Sequence, residues 1–381
     1  MNVEGLHTKI KSYLPSMLST LEDLVGRESP STEKASTDAY AGNLAERFDQ
    51  LGAETSLISN ETGGAQLKVL FRVPKARQVK PGLLLCHYDT VWPLGTITEM
   101  PFKIEGDKAF GPGVYDMKAS HVMVEYALRA IADLELQLPR PMEILFTSDE
   151  EIGSLNSRQL IEERARQAEY VLVLEPPTAE GALKTSRKGV GGFRLRVFGK
   201  AAHAGSQPEL GISAINELAR QILVIQELAD PEKGTTINAG VIRGGTRSNV
   251  IAAQAEAQID VRVWTPQEAQ RIEGAVKILQ PITPGAKIRI EGGFERPPLV
   301  RTEAVTGLFQ QVKGIGAELG LDLQEGSTGG GSDGNFTAAL GVPTLDGMGA
   351  MGDGAHADNE HIQISQLPDR ISILAAALLK L

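Results

Sequence analysis

A chain of 381 residues exceeds what one hydrophobic core supports, so two domains are expected. With 41% hydrophobic and 23% charged residues it has the composition of a water-soluble globular protein, and a formal net charge of −10 argues against nucleic acid or an anionic membrane as the main partner. Its one cysteine, Cys86, excludes an intrachain disulfide; with no apolar leader and no 18-residue apolar run, the expected location is the cytoplasm.

In chain order, Leu6, Ile10, Leu14, Met17, Leu18, Leu21 and Val25 recur at helical spacing, with a kink or restart at Pro15. Ser29-Pro30-Ser31 is a turn, and a second helix carries Tyr40, Leu44, Phe48 and Leu51 on one face and stops at Gly52. Strands are expected over residues 54–59, 66–72 and 83–86, then a hairpin over 102–110 turning at Gly106-Asp107. Helices over 117–134 and 154–167 alternate with short apolar strands over 142–146 and 170–174. That alternation means an α/β fold: a mostly parallel mixed sheet sandwiched by helices.

From about residue 188 the pattern changes to half-exposed strands. Strands around Phe193, Leu195 and Val197, over 237–241, over 255–263 and around Ile288 and Ile290 interleave with helices over 211–228 and from Thr265-Pro266 onward. The order β-α-β-β-α-β is a complete ferredoxin-like α+β unit inserted between two halves of the first domain. The expected division is 1–187 and 302–381 for the sheet domain and 188–301 for the insert. Helices over 302–319 and 367–379 close the chain.

Five segments carry metal-ligand chemistry: His87-Tyr88-Asp89, Asp116, Glu150-Glu151, Glu175 and the His356 loop. Singly, each has an ordinary explanation; Asp116, for example, would cap a helix. Jointly they fall where one edge of an α/β sheet gathers its strand ends. Asp89 is placed to take the proton on the ring nitrogen that His87 does not offer to a metal. Two histidines with carboxylates suit Zn2+, with Co2+ or Mn2+ as alternatives, and a shared carboxylate permits two ions ~3.5–4 Å apart. Adjacent glutamates point in different directions, so one of Glu150 and Glu151 can ligate while the other acts as general base toward water.

These motifs, together with Gly111-Pro112-Gly113, Leu174-Glu175-Pro176, Gly199-Lys200-Ala201-Ala202-His203-Ala204-Gly205 and Gly354-Ala355-His356, resemble the dizinc exopeptidase/deacylase family along the whole chain, and most closely its glutamate carboxypeptidase branch. The resemblance implies that Asp116 bridges two Zn2+ ions, with His87 and Glu175 completing one and Glu151 and His356 the other. Glu150 is then the general base, and Asp89 supports His87. The implied reaction is hydrolysis of an amide bond by a metal-bridging water, releasing a C-terminal amino acid such as glutamate from a small peptide or N-acyl amino acid. Deacylation of acetylornithine or other N-acyl amino acids is the sibling reading, and a catalytically silent binding protein the remote one.

The same resemblance makes the insert a lid and homodimerisation domain, gives His203 a role in a partner's active site, and links Asn249 and Arg262 to substrate. Gly330 and Ser332 lie in a glycine-rich turn whose N–H groups suit an anion, and the resemblance places this turn by the substrate carboxylate. Arg296, and behind it Arg187 and Lys184, are further substrate-binding candidates. Two positions depart from the family pattern: Met117 stands where an acidic residue is frequent, and Ala119-Ser120 where glycines are common.

Overall fold

In the computed structural model, which describes residues 3–73 and 79–381, the apolar stretch ending at His87 is a strand, Gly82–His87, buried at every position. It lies inside a six-stranded sheet ordered Glu54–Ile58, Gln66–Phe71, Met142–Thr147, Gly82–His87, Tyr170–Val173, Thr344–Leu345. The last four run parallel, and Gln66–Phe71 pairs antiparallel with both neighbours. Alternation along these strands sends Leu84, Cys86, Ile144, Phe146 and Leu172 into one core and Leu83, Leu85, Leu145, Val171 and Val173 into another. A sheet buried on both faces needs such continuous apolar runs.

Helices Val3–Ser12, Leu14–Gly26, Lys34–Asp49, Ala119–Asp133 and Leu367–Lys380 fill the first core through Leu6, Met17, Phe48, Met123 and Leu374. Helix Arg158–Gln167 fills the second through Ile161 and Ala165. Parallel register sets His87 level with Thr147 and Leu85 level with Val173, so the segments following three strands emerge along one edge.

Two helices begin later than their periodicity predicts. The one expected from residue 117 starts at Ala119, after a π-helical turn, Val114–Lys118. The one expected from 154 starts at Arg158, after a 3-10 turn, Glu150–Ile152. In the second case the Asp149 carboxylate accepts the N–H groups of Asn156 (2.7 Å) and Ser157 (3.3 Å), so a local bond competes with the helix. Both irregular turns carry candidate ligands.

Backbone contacts group Met1–Thr185, Arg301–Thr328 and Ser332–Leu381 in one unit, and Ser186–Val300 with Gly329–Gly331 in a second. The second has antiparallel strands ordered Thr236–Gly244, Gln254–Val263, Gly189–Phe198, Lys287–Arg296 and helices Ala214–Gln226 and Pro266–Lys277. Leu195, Val197, Val261, Leu218 and Ile272 form its own core. Ser213 and Thr265 cap the two helices, accepting the N–H groups of Asn216 and Glu268. Among the described residues no helix is long and apolar enough to cross a membrane.

Candidate metal centre

His87 is buried at its strand end. Its Nδ1 is 3.0 Å from the main-chain carbonyl of Asp89, so Nδ1–H donates there and Nε2 is the nitrogen that faces the carboxylates and would ligate a metal. Nε2 stands 3.0 Å from Asp116 Oδ1 and 3.5 Å from Glu175 Oε1. The expected partner of Nδ1 was the Asp89 carboxylate, whose nearer oxygen is 3.5 Å away. That carboxylate has other work: it accepts the N–H groups of Glu150 and Glu151, each at 3.1 Å, and the Ser31 hydroxyl at 2.7 Å. Asp89 thus orients His87 with its backbone and the paired glutamates with its side chain.

His356 sits in a loop with φ 62°, reached by a left-handed Gly354. Its Nε2 is 3.2 Å from both Glu151 oxygens and 3.5 Å from Asp116 Oδ2. Ligand atoms of His87, Asp116 and Glu151 lie within 4.8 Å of one another, as do those of His87, Glu150 and Glu175. All six side chains belong to the first unit.

The electrostatics fit a cation site. Burial disfavours protonation of His87, yet Asp116, Asp89 and Glu175 outweigh it and hold its pKa well above the usual value. Asp116 and then Glu151 hold His356 up to about 10, against burial. Burial would raise Asp116, but the two imidazoles win and keep it below the ordinary carboxylate range. Burial, reinforced by the charge of Asp116, raises Glu151 despite His356. Four carboxylates crowded around two rings are a poor arrangement without positive charge between them, and the all N/O donor set suits a borderline divalent ion.

Several supporting groups had no legible role in the sequence. His121 is buried: its Nε2 is 2.8 Å from the His87 carbonyl, which takes its proton, and its Nδ1 is 2.9 Å from the Tyr40 hydroxyl. Desolvation lowers its pKa to about 3, consistent with a neutral ring. The Ser120 hydroxyl donates to the Leu174 carbonyl at 2.6 Å, beside Glu175.

The Glu175 main chain is packed tightly as well. Gly349 N donates to the Glu175 carbonyl at 2.8 Å, and a Cβ there would stand 2.3 Å from Leu174 O and 2.6 Å from Ser120 Oγ. Gly349→Ala is therefore expected to lower stability by about 1–3 kcal/mol, read from the denaturant midpoint. An unchanged midpoint would contradict the packing.

Of the substrate-side candidates, Ser332 is fully buried, with its hydroxyl donating to Asp346 (2.6 Å) and accepting from Gly334 N (3.1 Å), so it braces the glycine-rich turn from within. Asn249, Arg262, Arg296, Gly330 and His203 all belong to the second unit. There Arg187 donates to the carbonyls of Gly330 (3.3 Å) and Gly331 (3.0 Å), and Arg262 pairs with Asp260. Lys184 is buried in the first unit.

The profile of Peptidase family M20/M25/M40 matches residues 83–380. The chain belongs to this family. It is 33% identical to carboxypeptidase G2 of Pseudomonas sp. (strain RS-16), over 96% of this chain and 89% of that one. Its fold is similar to those of aminopeptidase PepT from Bacillus cereus (TM-score 0.79, 22% identity, 96% of this chain and 98% of that one) and of an M20 family metallo-carboxypeptidase from Sulfolobus solfataricus (TM-score 0.74, 21% identity, 96% and 98%). Membership makes the chain a metal-dependent, peptidase-type hydrolase. Against the family pattern, Met117 is buried and its sulfur accepts the His87 N–H at 3.3 Å, while Ser120 gains the Leu174 bond. Both departures hydrogen-bond the backbone next to candidate ligands.

Proposed function

We propose that this protein is a dizinc amidohydrolase that releases a C-terminal amino acid, with glutamate the leading candidate, from a small peptide or N-acyl amino acid. The observation that carries the reading is the pair of overlapping ligand groups, His87/Asp116/Glu151 and His87/Glu150/Glu175, with His356 against Glu151 and Asp116. Kinship with carboxypeptidase G2 supports the carboxypeptidase direction. His87, Asp116, Glu151, Glu175 and His356 would hold two divalent ions; bound there, such ions polarise the scissile carbonyl and acidify a water.

Glu150 takes the proton of the attacking water as the new C–O bond forms. It then returns that proton to the amide nitrogen as the C–N bond breaks. Asp89 holds Glu150 and Glu151 in place through their N–H groups. Residues 188–301 are taken as the lid and dimerisation domain, in which Asn249, Arg262 and Arg296 bind substrate; the glycine-rich turn outside that range offers Gly330 to the substrate carboxylate and is braced by Ser332. Exposed Val241 and Ile242 on the edge strand Thr236–Gly244, with Leu223 on a neighbouring helix, suit a homodimer through this unit. The single buried cysteine suits a reducing cytoplasm.

The test is elemental analysis followed by a substrate panel. Zinc-loaded protein should approach two ions per chain and lose turnover in strong chelator. Benzoyl- and folyl-glutamate should be cleaved in preference to acetylornithine. The opposite preference would turn the assignment to a deacylase, and a chain that binds no metal would sink it.

A further inference from the structure

Glu360 lies four residues beyond His356 and is fully buried. Both of its oxygens are engaged. Oε1 accepts the N–H groups of Tyr115 (2.9 Å) and Asp116 (3.0 Å), and Oε2 those of Gly113 (2.9 Å) and the Trp92 indole (2.8 Å). Three of these four donors belong to the single turn that delivers Asp116, and no step of the hydrolysis uses Glu360.

That turn holds itself only in part, through Lys118 N to the Gly113 carbonyl (2.9 Å) and Val114 N to the Gly111 carbonyl (3.2 Å). Gly113 is left-handed (φ 70°), and Asp116 and Met117 have non-helical backbone angles inside it. Without a regular ladder, its N–H groups need an outside acceptor, and the Glu360 carboxylate supplies one. Glu360 is itself fixed at both ends of the centre. Its carbonyl accepts from Gly111 N, and the next residue, His361, pairs with Phe110 and with Asp353, just before the His356 loop.

We infer that Glu360 is a positioning residue of the metal centre: its carboxylate clamps the 113–116 turn so that Asp116 is presented jointly to His87 and His356. The inference rests on the proposed two-ion centre. Glutamine keeps the size of Glu360, but its NH2 would face two N–H donors whichever way the amide turns, so two donors lose their acceptor. The turn must then shift, and Asp116 with it.

The experiment titrates metal-free protein with Zn2+ against a chromophoric chelator, below the unfolding temperature, with folding checked by circular dichroism. Glu360→Gln should weaken zinc binding about 10–100-fold, the usual effect of losing a group that orients a ligand. Glu143→Gln is the control for a purely structural role. Glu143 is also buried and pairs with Arg164 at 2.5 and 2.7 Å, and its loss should lower stability while leaving zinc affinity unchanged.

If Glu360→Gln does not fold, Glu360→Asp takes its place. It keeps the charge and both acceptors, falls one methylene short, and should weaken zinc about tenfold. A folded Glu360 variant within about threefold of the wild-type affinity, in a protein whose zinc binding is impaired by His356→Ala, overturns the positioning role alone. A wild-type chain that takes up no zinc overturns the metal centre, and this role with it.

Discussion

Glu150→Gln is expected to lower kcat by at least ~10²–10⁴-fold while both metals stay bound. The substitution keeps the shape of the side chain and removes only its ability to take a proton. The geometry gives the prediction an edge, because a Glu150 oxygen lies within 4.8 Å of ligand atoms of His87 and Glu175 and so stands close enough to be mistaken for a ligand. Glu151 differs from it by meeting His356 at 3.2 Å. Asp89 holds both glutamates by their backbone N–H groups, so changing the Glu150 side chain leaves the turn, and with it Glu151, where it was. Elemental analysis beside steady-state kinetics decides the matter. Two ions with KM little changed fits a base; loss of one ion in step with activity would make Glu150 a ligand and return the base role to Glu151.

The split between what the sequence reveals and what it hides follows from the range of the forces involved. The Gly82–His87 strand is legible because burial on both faces demands an unbroken apolar run, and parallel register then places its neighbours' ends beside it. The ferredoxin-like unit is legible through period-2 alternation and the Thr265-Pro266 helix start. Gly352–Asp353 has only two residues, and Leu183–Arg187 carries a single apolar side chain, so neither shows a period. Contacts made across the chain are hidden for a different reason. Glu360 reaches back 244 residues to Asp116, and Ser31 reaches forward 58 to Asp89. Nothing local marks a glutamate or a serine as the acceptor or donor that fixes a ligand turn. The choice between the Asp89 carbonyl and its carboxylate depends on what else the carboxylate can reach, and that is known only once Glu150 and Glu151 are in place.

His203→Ala is expected to cost ~10²–10³-fold in kcat with bound metal unchanged, the effect of removing one N–H donor worth ~2.7–4 kcal/mol to a developing oxyanion. The structure gives this histidine the required tautomer. The N–H groups of Gly205 and Ser206 both donate to its Nδ1 at 3.1 Å, so Nδ1 must be the acceptor and Nε2 carries the proton on an exposed ring. Its loop is tied to the segment bearing Asn249: Ala204 N donates to the Asn249 carbonyl at 3.0 Å and Ile251 N to the Ala202 carbonyl at 2.9 Å. The His203 ring and the Asn249 segment are thus carried together on the second unit. If His203 acts in the partner's active site, mixing the His203→Ala and Glu150→Gln chains restores activity. Each hybrid dimer of a two-fold pair then has one site with Glu150 from the first chain and His203 from the second, so random exchange should return about a quarter of wild-type turnover. Subunit exchange must be shown independently, by tagged chains eluting as hybrids. Hybrids that form and remain inactive would place His203 on its own chain's reaction, or outside the reaction altogether.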